Sequence, residues 1–359
     1  MEAISTKMQD FRDQNIYVGM DVHHKSWKVH IYSDEFELKS FSQEPDIERL
    51  SDYLKKHYPQ ANYQLAYESG FCGFWIQRAF TAKGINCNVV HAADVPTNNK
   101  EQLRKTDKVD SKKIAKGLKN GELNFIHVPD IDLELDRQLL RSRSNLVKDT
   151  TRIKNRIKAI LKLQGIEIPE SYSEGRWWSK SFIKWLSEID FQNLSGKLTM
   201  QTQITELVFL EEQKKKIDTA IKELSKTDRY NTNADLLQTI PSIGLLTAMI
   251  LLTEIGDINR FKRLDELCSY CGIVPNCHSS GETESTGGLS RRGNSTIKTV
   301  LIECAWVAVK KDPALLLYYK QQIVHMKGQK AIIKVARKLL SRIRYVLMNQ
   351  KEYVLGIIE

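Results

Sequence analysis

The sequence predicts an α/β N-terminal domain, a helical coiled-coil middle and a mainly α-helical C-terminal domain. Three observations carry this reading. Short strand-like runs alternate with helical segments at the N-terminus, apolar residues recur every seven positions after Pro129, and amphipathic helices broken by Pro/Gly turns follow from Asn231 onward. The expected boundaries are 1–130, 131–230 and 231–359, in keeping with two or three domains for 359 residues.

Residues 16–22 (IYVGMDV) and 27–32 (WKVHIY) read as strands joined by the turn HHKS. Residues 63–68 (YQLAYE) and 86–91 (NCNVVH) read as two more, separated by a helical stretch over 74–83, which indicates a sheet of mixed direction. Residues 107–119 look helical, with Val109, Ile114 and Leu118 apolar. In the middle, Leu139, Leu146, Ile153 and Ile160 form one heptad column and Leu210, Ile217 and Leu224 another, with a Trp-rich segment (Trp177, Trp178, Trp185) between them. This fits an antiparallel coiled-coil hairpin or oligomer contact, or else two amphipathic helices on a local core. Residues 235–256 resemble a helix-hairpin-helix: Ile240-Pro241-Ser242-Ile243-Gly244 would present backbone N–H groups to a phosphate, or would simply turn the chain between buried helices. Residues 278–294, with four glycines, read as a polar loop. Two helices follow, one with Ile297, Val300, Leu301, Cys304 and Ala308 on a face, the last with Ile332, Ile333, Ala336, Leu339, Leu340 and Ile343 inward and lysines and arginines outward.

Lys and Arg exceed Asp and Glu by 54 to 44. Residues 137–162 hold nine Lys/Arg against one acid, and residues 287–345 hold thirteen against two, so the rest of the chain carries −9. Segregation of this kind predicts a polyanionic partner rather than general stickiness. The residues expected to touch nucleic acid are Arg141, Arg152 and Arg156 in the first segment, and Arg291, Arg292, Lys298, Lys334, Arg337 and Lys338 in the second. The longest nearly apolar run, 243–252, has ten residues against the roughly 20 needed to cross a bilayer. The N-terminus does not read as a signal peptide, so the expected location is cytoplasmic, nucleoid-associated in a prokaryotic cell, with the six cysteines reduced.

Four acids stand out. Asp21 ends one apolar strand and Glu68 another, while Asp107 and Asp110 lie three apart and so share a helix face. Four converging carboxylates would not all stay ionised without cations. Two Mg²⁺ ions (or Mn²⁺), which prefer hard oxygen ligands, would balance that charge and grip a phosphodiester from both sides. Serines 279, 280, 285 and 290 share the polar loop, and the residues alone do not choose a nucleophile among them.

The motifs Gly19-Met20-Asp21-Val22, Tyr67-Glu68-Ser69-Gly70 and Lys105-Thr106-Asp107-Lys108-Val109-Asp110 occur in that order. They are followed by Ile240-Pro241-Ser242-Ile243-Gly244, Leu252-Thr253-Glu254-Ile255-Gly256-Asp257, Gly272-Ile273-Val274-Pro275, Ser280-Gly281 and Ser290-Arg291-Arg292-Gly293-Asn294. Together they resemble the DEDD-type insertion-sequence transposases, the family that includes Piv-like DNA invertases and recombinases guided by a bridge RNA. The resemblance implies a RuvC-like (RNase H-like) domain, a coiled coil and a helical transposase domain. It implies that Asp21, Glu68, Asp107 and Asp110 bind metal, and that Ser280, selected by the pattern Pro275 to Gly281, is a nucleophile that links covalently to DNA. It further implies donor and target DNA, a structured noncoding guide RNA, and a composite site assembled between subunits of a homodimer or homotetramer. Ile297-Lys298 stands where Leu-Arg is usual, which weakens an expected phosphate contact, and Ser111 stands where Ala is frequent.

Two further patterns are set aside. Cys268-x-x-Cys271 with Cys277-His278 has zinc-ligand residue types, but both leading cysteines sit in an apolar helical stretch. The Trp-rich segment fits core packing better than base stacking. The expected function is therefore a DNA transposase or recombinase; the alternatives are a RuvC-type nuclease and a non-catalytic nucleic-acid-binding protein.

Overall fold

A computed structural model describes residues 11–95, 107–172, 177–280, 283–290 and 292–356. Contacts divide the chain into two compact units, Met1–Val128 and Pro129–Glu359.

The first unit is built on a five-stranded sheet ordered β3-β2-β1-β4-β5. Strands β1 (Asn15–Val22), β2 (Trp27–Ser33) and β3 (Glu37–Gln43) form an antiparallel meander, and β4 (Asn62–Glu68) and β5 (Asn86–Val90) run parallel to β1. The alternation of β1 feeds two layers. Ile16, Val18 and Met20 point to one face, packed with α1 (Ile47–His57) and α2 (Trp75–Ala82) through Leu50, Leu54, Ile76 and Phe80. The opposite face carries Tyr17, Ala66 and Val90, covered by Ile114 and Leu118 of α3 (Asp107–Lys119).

Strand β3 and helix α1 escaped the sequence reading, and each has a physical reason. β3 is a sheet-edge strand in which Leu38 and Phe41 are the apolar residues that pack on the core and the one buried residue, Gln43, is polar, leaving little periodicity to see. α1 is short and polar; its signature is the Asp46 cap, whose carboxylate accepts from the Arg49 N–H at 3.2 Å, followed by Leu50 and Leu54 one turn apart.

The second unit opens with a helical hairpin. Helix α4 (Ile131–Leu163) and helix α6 (Leu194–Leu224) run antiparallel, as the pairs Arg143–Asp218 and Lys154–Glu211 require, since one partner number rises as the other falls. At about 1.5 Å per residue, α4 spans about 50 Å. The buried positions of α4 are Leu133, Leu140, Thr150, Ile153, Ile157 and Leu161. Of the heptad column read from sequence, Ile153 is buried while Leu139 and Ile160 are half-buried. A straight α-helix drifts about 20° per heptad, so a strict seven-residue column rolls off the seam. The far end of the hairpin closes on α5 (Lys180–Glu188), where Phe182 is ringed by Tyr172, Trp177, Trp178 and Trp185. Its near end, through Leu140 and Ile221, is part of the C-terminal core.

That core centres on α8 (Leu245–Ile255), buried continuously from Ala248 to Ile255, which explains the apolar run in the sequence. Around it stand α7 (Asn231–Gln238), α9 (Leu264–Cys271), α10 (Ser295–Lys311), α11 (Pro313–Ile323) and α12 (Gly328–Asn349). The segment read as a polar loop is instead a two-stranded hairpin, β6 (Pro275–Ser280) and β7 (Thr283–Leu289). Its Ser, Thr and Gly residues hid the strands because pairing there rests on backbone hydrogen bonds rather than an apolar face. Among the described residues no helix is long and apolar enough to cross a membrane.

Candidate active site and nucleic-acid interface

Parallel pairing sets Met20 opposite Tyr67, so Asp21 and Glu68, one step on, lie at the carboxyl ends of adjacent strands spaced about 4.8 Å apart. Both project from the α3 face. Gly19 lies against α3, where a Cβ would collide with the Ser111 carbonyl oxygen and the Ala115 amide. Asp21 is two residues along the pleat from Gly19, and Glu68 two from Ala66, which packs under α3.

Helix α3 runs back along β1. Its last residue, Lys119, places its ammonium 5.7 Å from the ring centroid of Tyr32, which pairs with Tyr17 near the start of β1, while Ser111 and Ala115 sit at Gly19. The first turn, with Asp107 and Asp110, is therefore directed toward the carboxyl ends of β1 and β4. Asp110 is half-buried; the Asp107 side chain lies outside the described residues. His23 Nε2 stands 3.1 Å from Asp21 Oδ2. Among the described residues no three His, Cys, Asp or Glu side chains are drawn together tightly enough to hold a metal ion. The donor set is nonetheless all carboxylate oxygen, which suits Mg²⁺.

In the second unit Ser280 ends β6 and pairs in register with Thr283, at the tip of the hairpin, with its side chain outside the described residues; Ser279 faces Glu284. The hairpin root is held firmly. Ser290 donates its N–H to the Val274 carbonyl at 2.9 Å, and Lys298 Nζ donates to the Ser290 carbonyl at 3.0 Å. Gly293 lies so close to Gly272 that a Cβ on it would fall onto the Gly272 backbone, which explains a glycine there. Asn294 caps α10, accepting from the Thr296 and Ile297 N–H groups, and donates from Nδ2 to Glu254 at 2.7 Å.

Glu254 is the functional-site residue whose role the sequence did not announce. It is 1% exposed and accepts hydrogen bonds from Nε and Nη2 of Arg141, at 2.7 and 2.9 Å, with Arg137 Nε 3.5 Å away. The signal was present: an acid inside ILLTEIG must find partners if that run is buried. Two of the motifs quoted above, those around Glu254 and Asn294, thus meet in space.

The expected nucleic-acid contacts divide accordingly. Arg141 has a partner inside the protein, which accounts for its position without a phosphate. Arg152 pairs with Asp149 at 2.7 Å across one turn, and Arg156 is exposed with no ion pair among the described residues. Arg292 is exposed and donates its N–H to Ser290 Oγ; Arg291 lies outside the described residues. On α12, Lys334 donates to Gln322 Oε1 at 2.8 Å, Arg337 pairs with Asp265, and Lys338 sits 5.5 Å from the Tyr318 ring centroid. Cys268 and Cys271 are buried in the C-terminal core, and burial pushes both thiols up.

An acid-tipped mixed sheet followed by helical regions is the framework of a DEDD-type transposase, and comparison with known proteins agrees. Residues 18–165 match the DEDD transposase domain of the IS110 group, and residues 234–320 match the domain described as Transposase IS116/IS110/IS902 family. The chain belongs to this family. It is 27% identical to the transposase for insertion sequence element IS1111A of Coxiella burnetii over 78% of this chain and 76% of that one. It is 35% identical to the pilin gene-inverting protein of Moraxella bovis over 34% of this chain and 39% of that one. The Sinorhizobium fredii protein y4qE is 29% identical over 67% of this chain, which spans 57% of y4qE's length.

Proposed function

We propose that this transposase breaks and rejoins DNA with Ser280 as nucleophile and Asp21, Glu68, Asp107 and Asp110 as metal ligands, a structured noncoding RNA selecting donor and target. The observation that carries the reading is the register that puts Asp21 beside Glu68 under the first turn of α3. The strand order supports an RNase H-like domain, and the three regions 1–130, 131–230 and 231–359 remain its working division.

Ser280 supplies the hydroxyl that attacks phosphorus; the bond from phosphorus to the sugar oxygen breaks, and that oxygen takes up a proton while the serine proton passes to a base. The strand stays joined to Ser280 as a phosphate ester. A hydroxyl of the second strand then attacks the same phosphorus and releases the serine, so the bond count is unchanged. A serine hydroxyl needs activation to do this. Mg²⁺ held by the tetrad would supply Lewis acidity at the phosphoryl oxygens. His23, within hydrogen-bonding distance of Asp21, orients that carboxylate. The rigid root at Ser290 and Asn294 holds the hairpin that presents Ser280. A subunit assembly, dimer or tetramer, belongs to the same reading.

The test is a denaturing gel of protein incubated with Mg²⁺, donor DNA and RNA transcribed from the element's flank. A protein–DNA adduct is expected that disappears in Ser280→Ala, persists in Ser279→Ala, and fails to form in Asp21→Asn. Cleavage without adduct would favour a water-using nuclease instead. Binding unchanged in every variant, with no cleavage at all, would favour a non-catalytic protein, and reaction undiminished by omitting the RNA would remove the guide.

A further inference from the structure

The root of the β6–β7 hairpin borders a cleft of about 890 Å³ that the reading above does not use. Its apolar lining, or floor, comes from Leu264, Ile273, Pro275, Leu289, Met326 and Ile333. One wall is a face of α12 on which Lys330, Lys334, Arg337 and Ser341 recur at three- and four-residue spacing, with Lys338 alongside. Tyr318 of α11 stands beside it, and Gln329 and Ser341 offer hydrogen bonds.

The charge on this wall is only partly answered within the protein. Asp265 pairs with Arg337, whereas Lys330 and Lys338 have no carboxylate partner among the described residues. An oily floor, an aromatic face and a cationic rim together fit a flat, weakly polar ring attached to phosphates. A base within a duplex keeps its faces against its neighbours and would leave the floor uncovered, so the occupant must be out of the stack. The cleft volume lies within the range of small-molecule sites, ample for one nucleotide.

Position argues for the strand being cut. Pro275 lines the cleft and Ser280 ends the same strand five residues on, about 17 Å at about 3.3 Å per residue. A B-form strand advances about 3.4 Å per nucleotide, so the cleft lies within about five nucleotides of a phosphate held at Ser280. We propose that the cleft receives one unstacked nucleotide of the DNA strand near the scissile phosphate, its base against Ile333 and Tyr318 and its flanking phosphates on the α12 cations. The placement near the cut rests on the reading of Ser280 as nucleophile.

The probes are fluorescently labelled duplexes, one fully paired and one with a single bulged adenine, each made in DNA and in RNA, titrated against the full chain. Base–aromatic stacking contributes about 1–3 kcal/mol, so the bulged DNA should bind about tenfold more tightly than the paired DNA. Ile333→Trp, which fills the floor, should abolish that preference while paired DNA binds as before. Tyr318→Leu keeps apolar volume but removes the ring, and should reduce the preference several-fold; thermal melts identify any variant that has lost its fold. No preference in the intact protein, or a preference that survives both substitutions, overturns the proposal. A preference confined to the bulged RNA and lost in the same variants also overturns it, assigning the cleft to RNA. The Ser280 adduct of the unsubstituted protein is read separately: adduct without bulge preference sinks the cleft alone, and bulge preference without adduct sinks the nucleophile and the cleft's place near the cut.

Discussion

At Gly19 the backbone of β1 meets α3 so closely that no side chain fits, and this contact sets how near the α3 acids come to Asp21. Gly19→Ala would force the helix outward, because the colliding atoms are backbone and cannot rotate away. Overpacking of this kind costs about 1–3 kcal/mol, so the urea midpoint should fall, and adduct formation should fall further than stability does. A variant with normal activity would show that α3 does not set the tetrad. Glu254 is the matching case in the second unit. Removing it leaves Arg137 and Arg141 without their carboxylate and frees the Asn294 cap. Because Arg141 is half-exposed, the loss from Glu254→Ala belongs at the lower end of the range for a broken buried pair, about 3 kcal/mol by denaturant melting. Combining it with Asn294→Ala should give less than the sum of the two single losses, since both break one network.

Among the elements, the helices were legible where amphipathicity or an apolar run marked them, as in α3, α8 and α12, and the strands where β-branched, aromatic or aliphatic residues form a short run, as Ile16, Tyr17 and Val18 do in β1 and Tyr63, Leu65 and Tyr67 in β4. What stayed hidden depended on partners distant in sequence. β3 exists because β2 offers it an edge, β6 and β7 because they pair with each other, and the seam of α4 is set by where α6 lies rather than by a seven-residue count. Of the candidate site, the acids and the serine were legible as motifs. The face that Asp21 and Glu68 share required the β1–β4 register, and the brace behind the serine hairpin required Glu254 to meet Asn294. The start of α4 gives a prediction at this scale. The Asp130 carboxylate accepts from Arg229 and from the Leu133 N–H, which together hold its pKa below the ordinary carboxylate value. A depressed pKa in the folded state adds stability above the unfolded value of about 3.9, lost as pH falls through the folded value. Asp130→Ala should therefore cost about 1 kcal/mol near neutrality, as for other N-caps, and the difference from the parent should shrink as pH drops below about 4 in thermal melts.

For the whole molecule, the two basic segments that look alike in sequence are different in space. Arg137, Arg141, Arg143 and Lys154 of the first segment face Glu254, Asp218 and Glu211, so part of the −9 carried elsewhere in the chain neutralises α4 and never reaches a ligand, and Arg152 is answered by Asp149 of its own segment. In the second segment Arg342 is tied to Asp312 and Arg344 to two backbone carbonyls, but Lys330 and Lys338 on the outer face of α12 keep their charge available. Nucleic-acid affinity should then depend on the second segment more than on the first. Each phosphate neutralised contributes about −0.9 to the slope of log affinity against log salt on duplex DNA. Replacing Lys330 and Lys338 together with Ala should make that slope shallower by nearly two, uniformly across sequences, without lowering the melting temperature. Arg141→Ala should do the opposite, lowering the melting temperature and leaving the slope as it was. A salt titration of duplex binding, run on both variants with melts alongside, separates the two roles: if Arg141→Ala flattened the slope and the α12 pair did not, the phosphate-facing charge would lie on α4.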